Sequence, residues 1–250
     1  MKVILGTAHG SNVKGKCSPD KSIREYQWSR EMCLMIKERL DELNIDCVID
    51  ILEPVEKSLG TRVRLVNAIC KESTEKNPIV IFNRIVKNED ISIPMHGPIH
   101  HVVDGAAFLT AFFNAGGKIN LEESFWELCN RAEKMPGGMC GHWGVCGAVT
   151  SVGAALSIIK KSGPLSDFDW GNHILYSSKA LEKLGTVGGP RCCKRNAYLA
   201  LDAAIDFVNE NKNNFGIVLE KDKIECSFSS KNQQCKKDGC PFFRGQNEAK

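Results

Sequence analysis

Twelve cysteines stand in a chain of 250 residues, and eight of them follow residue 128. No other feature limits the chain's chemistry as much. Six of those eight, Cys140, Cys146, Cys192, Cys193, Cys235 and Cys240, sit beside Gly, Pro, Arg or Lys. The N-terminus offers one Lys and then only Val3-Ile4-Leu5 before Gly6, which does not read as a secretory signal. The expected compartment is therefore the cytoplasm, where thiols stay reduced and clustered ones point to metal or redox chemistry. A chain of this length buries about three quarters of its unfolded surface and needs no disulfides to fold.

Composition narrows the classes further. Apolar residues make up 42% and charged residues 25%, the usage of a globular protein. With 33 Lys+Arg against 30 Asp+Glu, the charge of +3 gives no reason to expect nucleic acid. The longest apolar stretch, Val145 to Ile159, is interrupted by Gly, Thr and Ser and is too short to span a bilayer. No membrane partner is expected.

The first third reads as alternating β and α. Lys2 to Gly6 is a strand, and Ile23 to Leu43 carries apolar residues at helical spacing. Cys47 to Ile51 is a second strand, Val63 to Cys70 a second helix, and Pro78 to Phe82 a third strand. That order predicts a partial parallel sheet with crossover helices, an α/β lobe over residues 1–85. Cys33, Cys47 and Cys70 fall in apolar patterns and read as small buried hydrophobes.

Gly6-Thr7-Ala8-His9-Gly10-Ser11, Arg24-Glu25-Tyr26, Ser58-Leu59, Thr61-Arg62-Val63 and Val66-Asn67 together resemble the front half of a zinc-dependent N-acetylmuramoyl-L-alanine amidase. The resemblance covers residues 1–82 and implies zinc held by His9 and Glu25, with peptidoglycan as substrate. The family's third zinc ligand has no match here, since Ile79-Val80-Ile81 runs into Phe82-Asn83-Arg84-Ile85. Catalytic zinc normally keeps three protein ligands, so the lobe reads as incomplete. His96 is the nearest replacement ligand.

Residues 92–250 read as a mainly α, cysteine-rich domain. Pro94 to Pro98 is a turn, and His100 and His101 enter a helix running to Gly116. Asn120-Leu121-Glu122-Glu123 resembles a capping box. Pro136 to Gly147 then brings Cys140, His142 and Cys146 among glycines at 138, 141, 144 and 147, ahead of a small-residue helix from Ala148 to Lys160. Glycine there exposes backbone N–H groups to an ion or cluster. Asn172 to Leu184 is a helix closed by Gly185. Gly188-Gly189-Pro190-Arg191-Cys192-Cys193-Lys194-Arg195 repeats the device, a Gly/Pro turn and then cysteines opening a long helix to about Asn209. Helix N-termini and flanking cations both favour thiolates. Ile224, Cys226 and Phe228 alternate like a strand, and Cys235 with Cys240-Pro241 closes the array. The predicted centre is Cys140, Cys146, Cys192, Cys193, Cys226, Cys235 and Cys240, binding an iron–sulfur cluster ahead of zinc because zinc-ribbon Cys-x-x-Cys spacing is absent. His96, His100, His101, His142, Arg191, Lys194 and Arg195 are accessory candidates, the cations orienting an anion or stabilising thiolates.

His96-Gly-Pro-Ile-His100-His101, Pro136 to Ala148, Gly189-Pro-Arg-Cys192-Cys193-Lys-Arg and Cys240-Pro-Phe-Phe resemble domain-of-unknown-function family 5714, over residues 92–250. The Cys-Gly-Ala at Cys146 is also similar to a broader group of putative redox proteins. The resemblance implies a unit without naming a reaction. Three functions are in view: a metal- or iron–sulfur protein of redox or sulfur chemistry with a small-molecule or redox partner, a zinc amidase, and a non-enzymatic metal-stabilised module.

Overall fold

A computed structural model of the chain describes residues 3–6, 17–20, 22–50, 59–91 and 93–244. The chain divides into two compact units, Met1–Ser58 and Leu59–Lys250.

In the first unit, β1 (Val3–Gly6) pairs in parallel with β2 (Cys47–Asp50), in the register Val3 with Cys47 through Gly6 with Asp50. The crossover is α1 (Glu25–Glu42), which buries Cys33. A Lys37–Asp41 ion pair of 2.6 Å and an Arg39–Glu42 pair lie along its exposed surface. No further strand joins the pair among the described residues.

The expected α/β lobe is not what the chain builds, because the residues assigned to its third strand form a helix. Pro78 to Phe82 lies in α3 (Pro78–Val86), which belongs to the second unit. The cause is local. Asn77 accepts a hydrogen bond from the Ile79 N–H at 2.9 Å, and Pro78 takes the first helical turn, where its missing N–H costs nothing. Burial then follows helical spacing, with Ile79, Phe82, Ile85 and Val86 inside and Arg84 outside. The β-branched run reads as a strand only if Asn77 and the continuation to Val86 are ignored. The chain is mainly helical, with strand confined among the described residues to β1 and β2.

The second unit is a helical assembly around α4 (His100–Asn114). Val, Ala, Gly, Phe and Leu surround this helix on all sides, so it is buried almost throughout. It touches α2 (Leu59–Glu72), α3, α5 (Leu121–Ala132), α7 (Gly147–Ile159) and α9 (Cys193–Glu210). Asn120 caps α5 as expected, accepting from the Glu123 N–H at 3.3 Å. Two glycines set the closeness of the α4–α7 contact. A Cβ on Gly105 would lie 2.7 Å from Ser151 Oγ, and one on Gly147 would lie 2.0 Å from His101 Nε2. The short α6 (Met139–His142) precedes α7, and α8 (Trp170–Val187) packs beside both α7 and α9. Gly185 does not close α8, which continues to Val187 and ends at Gly188 with φ +72°. After α10 (Lys212–Phe215) the chain makes turns, and a single bridge joins Cys226 to Phe243 where alternation suggests a longer strand.

Candidate metal centre

Four of the seven predicted cysteines line one pocket: Cys192, Cys226, Cys235 and Cys240. Cys192 stands at the N-terminus of α9, extended at φ −147° and ψ 107°. The Cys226 N–H donates to Phe242 O at 2.8 Å, which draws the Cys240 turn alongside Cys226. Cys235 is set by a turn in which its N–H donates to Asn232 O at 3.0 Å. The pocket holds about 20 Å³ and is walled by Tyr198, Phe228 and Phe242. Tyr198 is fixed by edge contacts with Phe82 and Phe242, at 5.6 and 5.4 Å, and by a 2.7 Å hydrogen bond to Asn83 Oδ1.

Three of these sulfurs accept N–H groups. The Phe228 N–H points at Cys226 Sγ and the Lys237 N–H at Cys235 Sγ, each at 3.4 Å and each from two residues on. Cys192 Sγ accepts from the Arg195 N–H and from Asn232 Nδ2, both at 3.4 Å. Such donors stabilise negative sulfur and hold metal ligands in orientation. Burial, with Cys192, Cys240 and Cys235 close by, pushes the Cys226 thiol up. Among the described residues, no three His, Cys, Asp or Glu side chains are drawn together tightly enough to hold a metal ion as they stand.

Two buried cations flank the pocket. Lys194 is 2% exposed, with its Nζ 3.2 Å from Pro94 O, 3.2 Å from His100 Nε2 and 5.4 Å from the Phe228 ring centre. Burial lowers its pKa to about 8, opposed by Asp104 and the nearby Cys193, Cys192 and Cys226. Arg195 is 4% exposed and donates to Gly188 O and Pro190 O, each at 2.8 Å, while its Nε has no hydrogen-bond partner.

The other predicted residues go elsewhere. Cys140, His142 and Cys146 line a second, wider cavity with Arg191. Arg195 lines both. Cys146 Sγ accepts from Asn196 Nδ2 at 3.3 Å, and burial raises its pKa. Cys193 follows Cys192 in sequence but accepts from the Gly97 N–H instead, and burial lifts it to about 11. His96 is half-buried in the Pro94–Pro98 turn. His100 and His101 are buried. Burial, with Lys194 close by, lowers His100 to about 3, and burial lowers His101 too. His9 lies outside the described residues, and Glu25 opens α1 in the first unit.

One residue of this buried polar group escapes sequence reasoning. Asp104 is wholly buried, neither carboxylate oxygen makes a hydrogen bond, and burial holds its pKa well above the usual carboxylate range. His100 Nδ1 lies 3.8 Å away. The available signal was a lone acid in the apolar run Val102 to Phe113, four residues after His100 and so on its helix face.

A family model described as a Family of unknown function (DUF5714) matches residues 66–243. The chain belongs to this family. The DUF5714 match begins within α2 and ends past Cys240, so it contains both cavities and every predicted cysteine of the centre. It also takes in residues 66–82, which the amidase resemblance claims. No curated protein and no solved structure matches the chain. No helix among the described residues is long and apolar enough to cross a membrane.

Proposed function

We propose that this DUF5714 chain binds a metal centre through Cys192, Cys226, Cys235 and Cys240, and that the centre is an iron–sulfur cluster serving redox or sulfur chemistry. The observation that carries the reading is the meeting of these four thiols in one pocket, brought from the start of α9 and two later turns. An all-thiolate set selects zinc or iron–sulfur over harder ions. Iron–sulfur stands ahead because aromatic walls and N–H groups on the sulfurs are the means by which proteins set a cluster's potential.

Electrostatics support the same reading. Buried charges are costly unless paired, and Arg195 has no ion pair among the described residues. Lys194 hydrogen-bonds only a carbonyl and an imidazole. A centre of four thiolates around iron or zinc carries net negative charge and neutralises both cations. When bound, the group supplies electron transfer or Lewis acidity. The protein's own residues hold the thiols, exclude water with three rings and balance the charge.

The test is anaerobic purification with iron, acid-labile sulfide and zinc measured per chain. Iron with sulfide, lost in Cys226→Ser and Cys240→Ser but kept in Cys140→Ser, is the expected result. Zinc without sulfide retains the site and overturns the cluster. A folded protein containing neither, after attempted reconstitution, overturns the proposal.

A further inference from the structure

The wide cavity takes no part in that centre, yet it is built like a binding site. It holds about 530 Å³ between α6, the start of α7, the end of α8 and the turn into α9. Its polar lining is Arg191, Arg195, His142, Asn196, Cys140 and Cys146, and no described Asp or Glu lines it. Arg195, 4% exposed and without an ion pair among the described residues, stands in its wall as well as in that of the four-thiol pocket, while Arg191 lines this cavity and not the other. Two guanidinium groups with no described carboxylate in the lining favour an anion.

Glycines shape the mouth of the cavity. Gly185 sits inside the 18-residue α8, where glycine costs about 1 kcal/mol relative to alanine. Packing does not explain it, because a Cβ there would meet no protein atom within 4 Å. Its φ is not positive, so the backbone does not require it either. Gly141 and Gly189, which also line the cavity, are equally open. All three are exposed, so a side chain added at any of them would extend into open space at the mouth of the cavity.

We infer that this cavity binds a small molecule through a carboxylate, phosphate or sulfate group, held by Arg191 and Arg195. The planar guanidinium fork matches two oxygens of such a group. His142 and Asn196 contribute further polar contacts at the edge of the site. The cavity's size suits a ligand larger than the anionic group alone.

The experiment titrates the intact, metal-loaded protein calorimetrically with inorganic phosphate, sulfate and malonate at constant ionic strength, with chloride as control. Two variants accompany it. Arg191→Gln removes an exposed cation, and Gly185→Leu fills the cavity from a helix position with open space around it. The expected result is saturable binding of at least one probe, weakened about tenfold or more in each variant, with metal content unchanged and Tm no lower. The inference is overturned if no probe saturates below about 10 mM, or if either variant leaves the affinity unchanged. Neither readout depends on which metal the four cysteines hold.

Discussion

The two cavities of the second unit begin with the same local device and end differently. In each, a glycine- or proline-rich turn delivers a cysteine to the N-terminus of a helix, Cys192 before α9 and Cys146 before α7. The Cys192 cavity is small, walled by aromatic rings and lined by four sulfurs. The Cys146 cavity is far larger, about 530 Å³ against 20 Å³, floored by glycine and rimmed by cations. The thiol at the helix start is thus no guide to the chemistry. What decides is the company: other thiols with N–H donors in one case, guanidinium groups and bare backbone in the other.

The sharpest way to break this contrast is to remove sulfur from each side. Cys226→Ser combined with Cys240→Ser should bring bound metal close to zero, whereas Cys140→Ser with Cys146→Ser should leave it near the wild-type level. Equal losses from both pairs, measured as metal per chain, would merge the two cavities into one functional centre.

Next in size is Gly147→Ala. The added methyl would meet the His101 ring at 2.0 Å, in a contact where α4 and α7 have no slack. Destabilisation of about 3 kcal/mol in urea denaturation is expected, as for an overpacked core. Gly185→Ala, whose methyl meets nothing, should instead stabilise by about 0.5–1 kcal/mol. This pair shows whether the glycines under α7 serve packing while that of α8 serves space.

A pH experiment sharpens the role of the buried polar group at the start of α4. Burial lowers His100 to about 3 from 6.5 and also lowers His101, so between these values the unfolded chain takes up protons that the folded chain refuses. Stability from these two groups is present above pH 6.5 and falls on acidification. Asp104 has the opposite sign, since its raised pKa keeps a proton in the folded state that the unfolded chain loses above 3.8. Two imidazoles outweigh one carboxyl, so the apoprotein should lose about 1 kcal/mol between pH 6.5 and 5. In His100→Asn one imidazole cancels one carboxyl and the slope should flatten. An unchanged slope would place His100 outside the balance. The smallest effect is on stability in Arg191→Gln, within about 0.5 kcal/mol, because that side chain is exposed.

The sequence was most readable where local chemistry decides the outcome. The limits of α4, α5, α7 and α9 follow from Asn120, the glycine turns and the apolar periods. It misled where an apolar run fits two periods. Pro78 to Phe82 satisfies a strand until Asn77 is seen as a cap and Ile85 and Val86 as continuing one helical face. Gly185 reads as a helix stop because glycine usually marks one, but the helix ends on Gly188, three residues later than expected. The cysteines were legible as a group and not as a partition. Cys192 and Cys193 are neighbours in sequence, yet a helix start sends consecutive side chains in different directions, one into the sulfur pocket and one towards Gly97. The flanking Lys194 and Arg195 read as accessory cations beside the thiols, and α9 carries them into the interior. His100 and His101 read as accessory residues entering a helix from a turn, and the apolar helix they open takes them into the core.

Arg195 stands in the wall of both cavities. One fixed positive charge is therefore shared by two tenants, and neither can alter its own electrical state in private. A negative guest arriving on the glycine side would screen the cation that the sulfur side leans on, making added electrons less welcome there. The partition between the cavities is thus a wire as much as a wall, and occupancy on one side should be legible as a potential on the other.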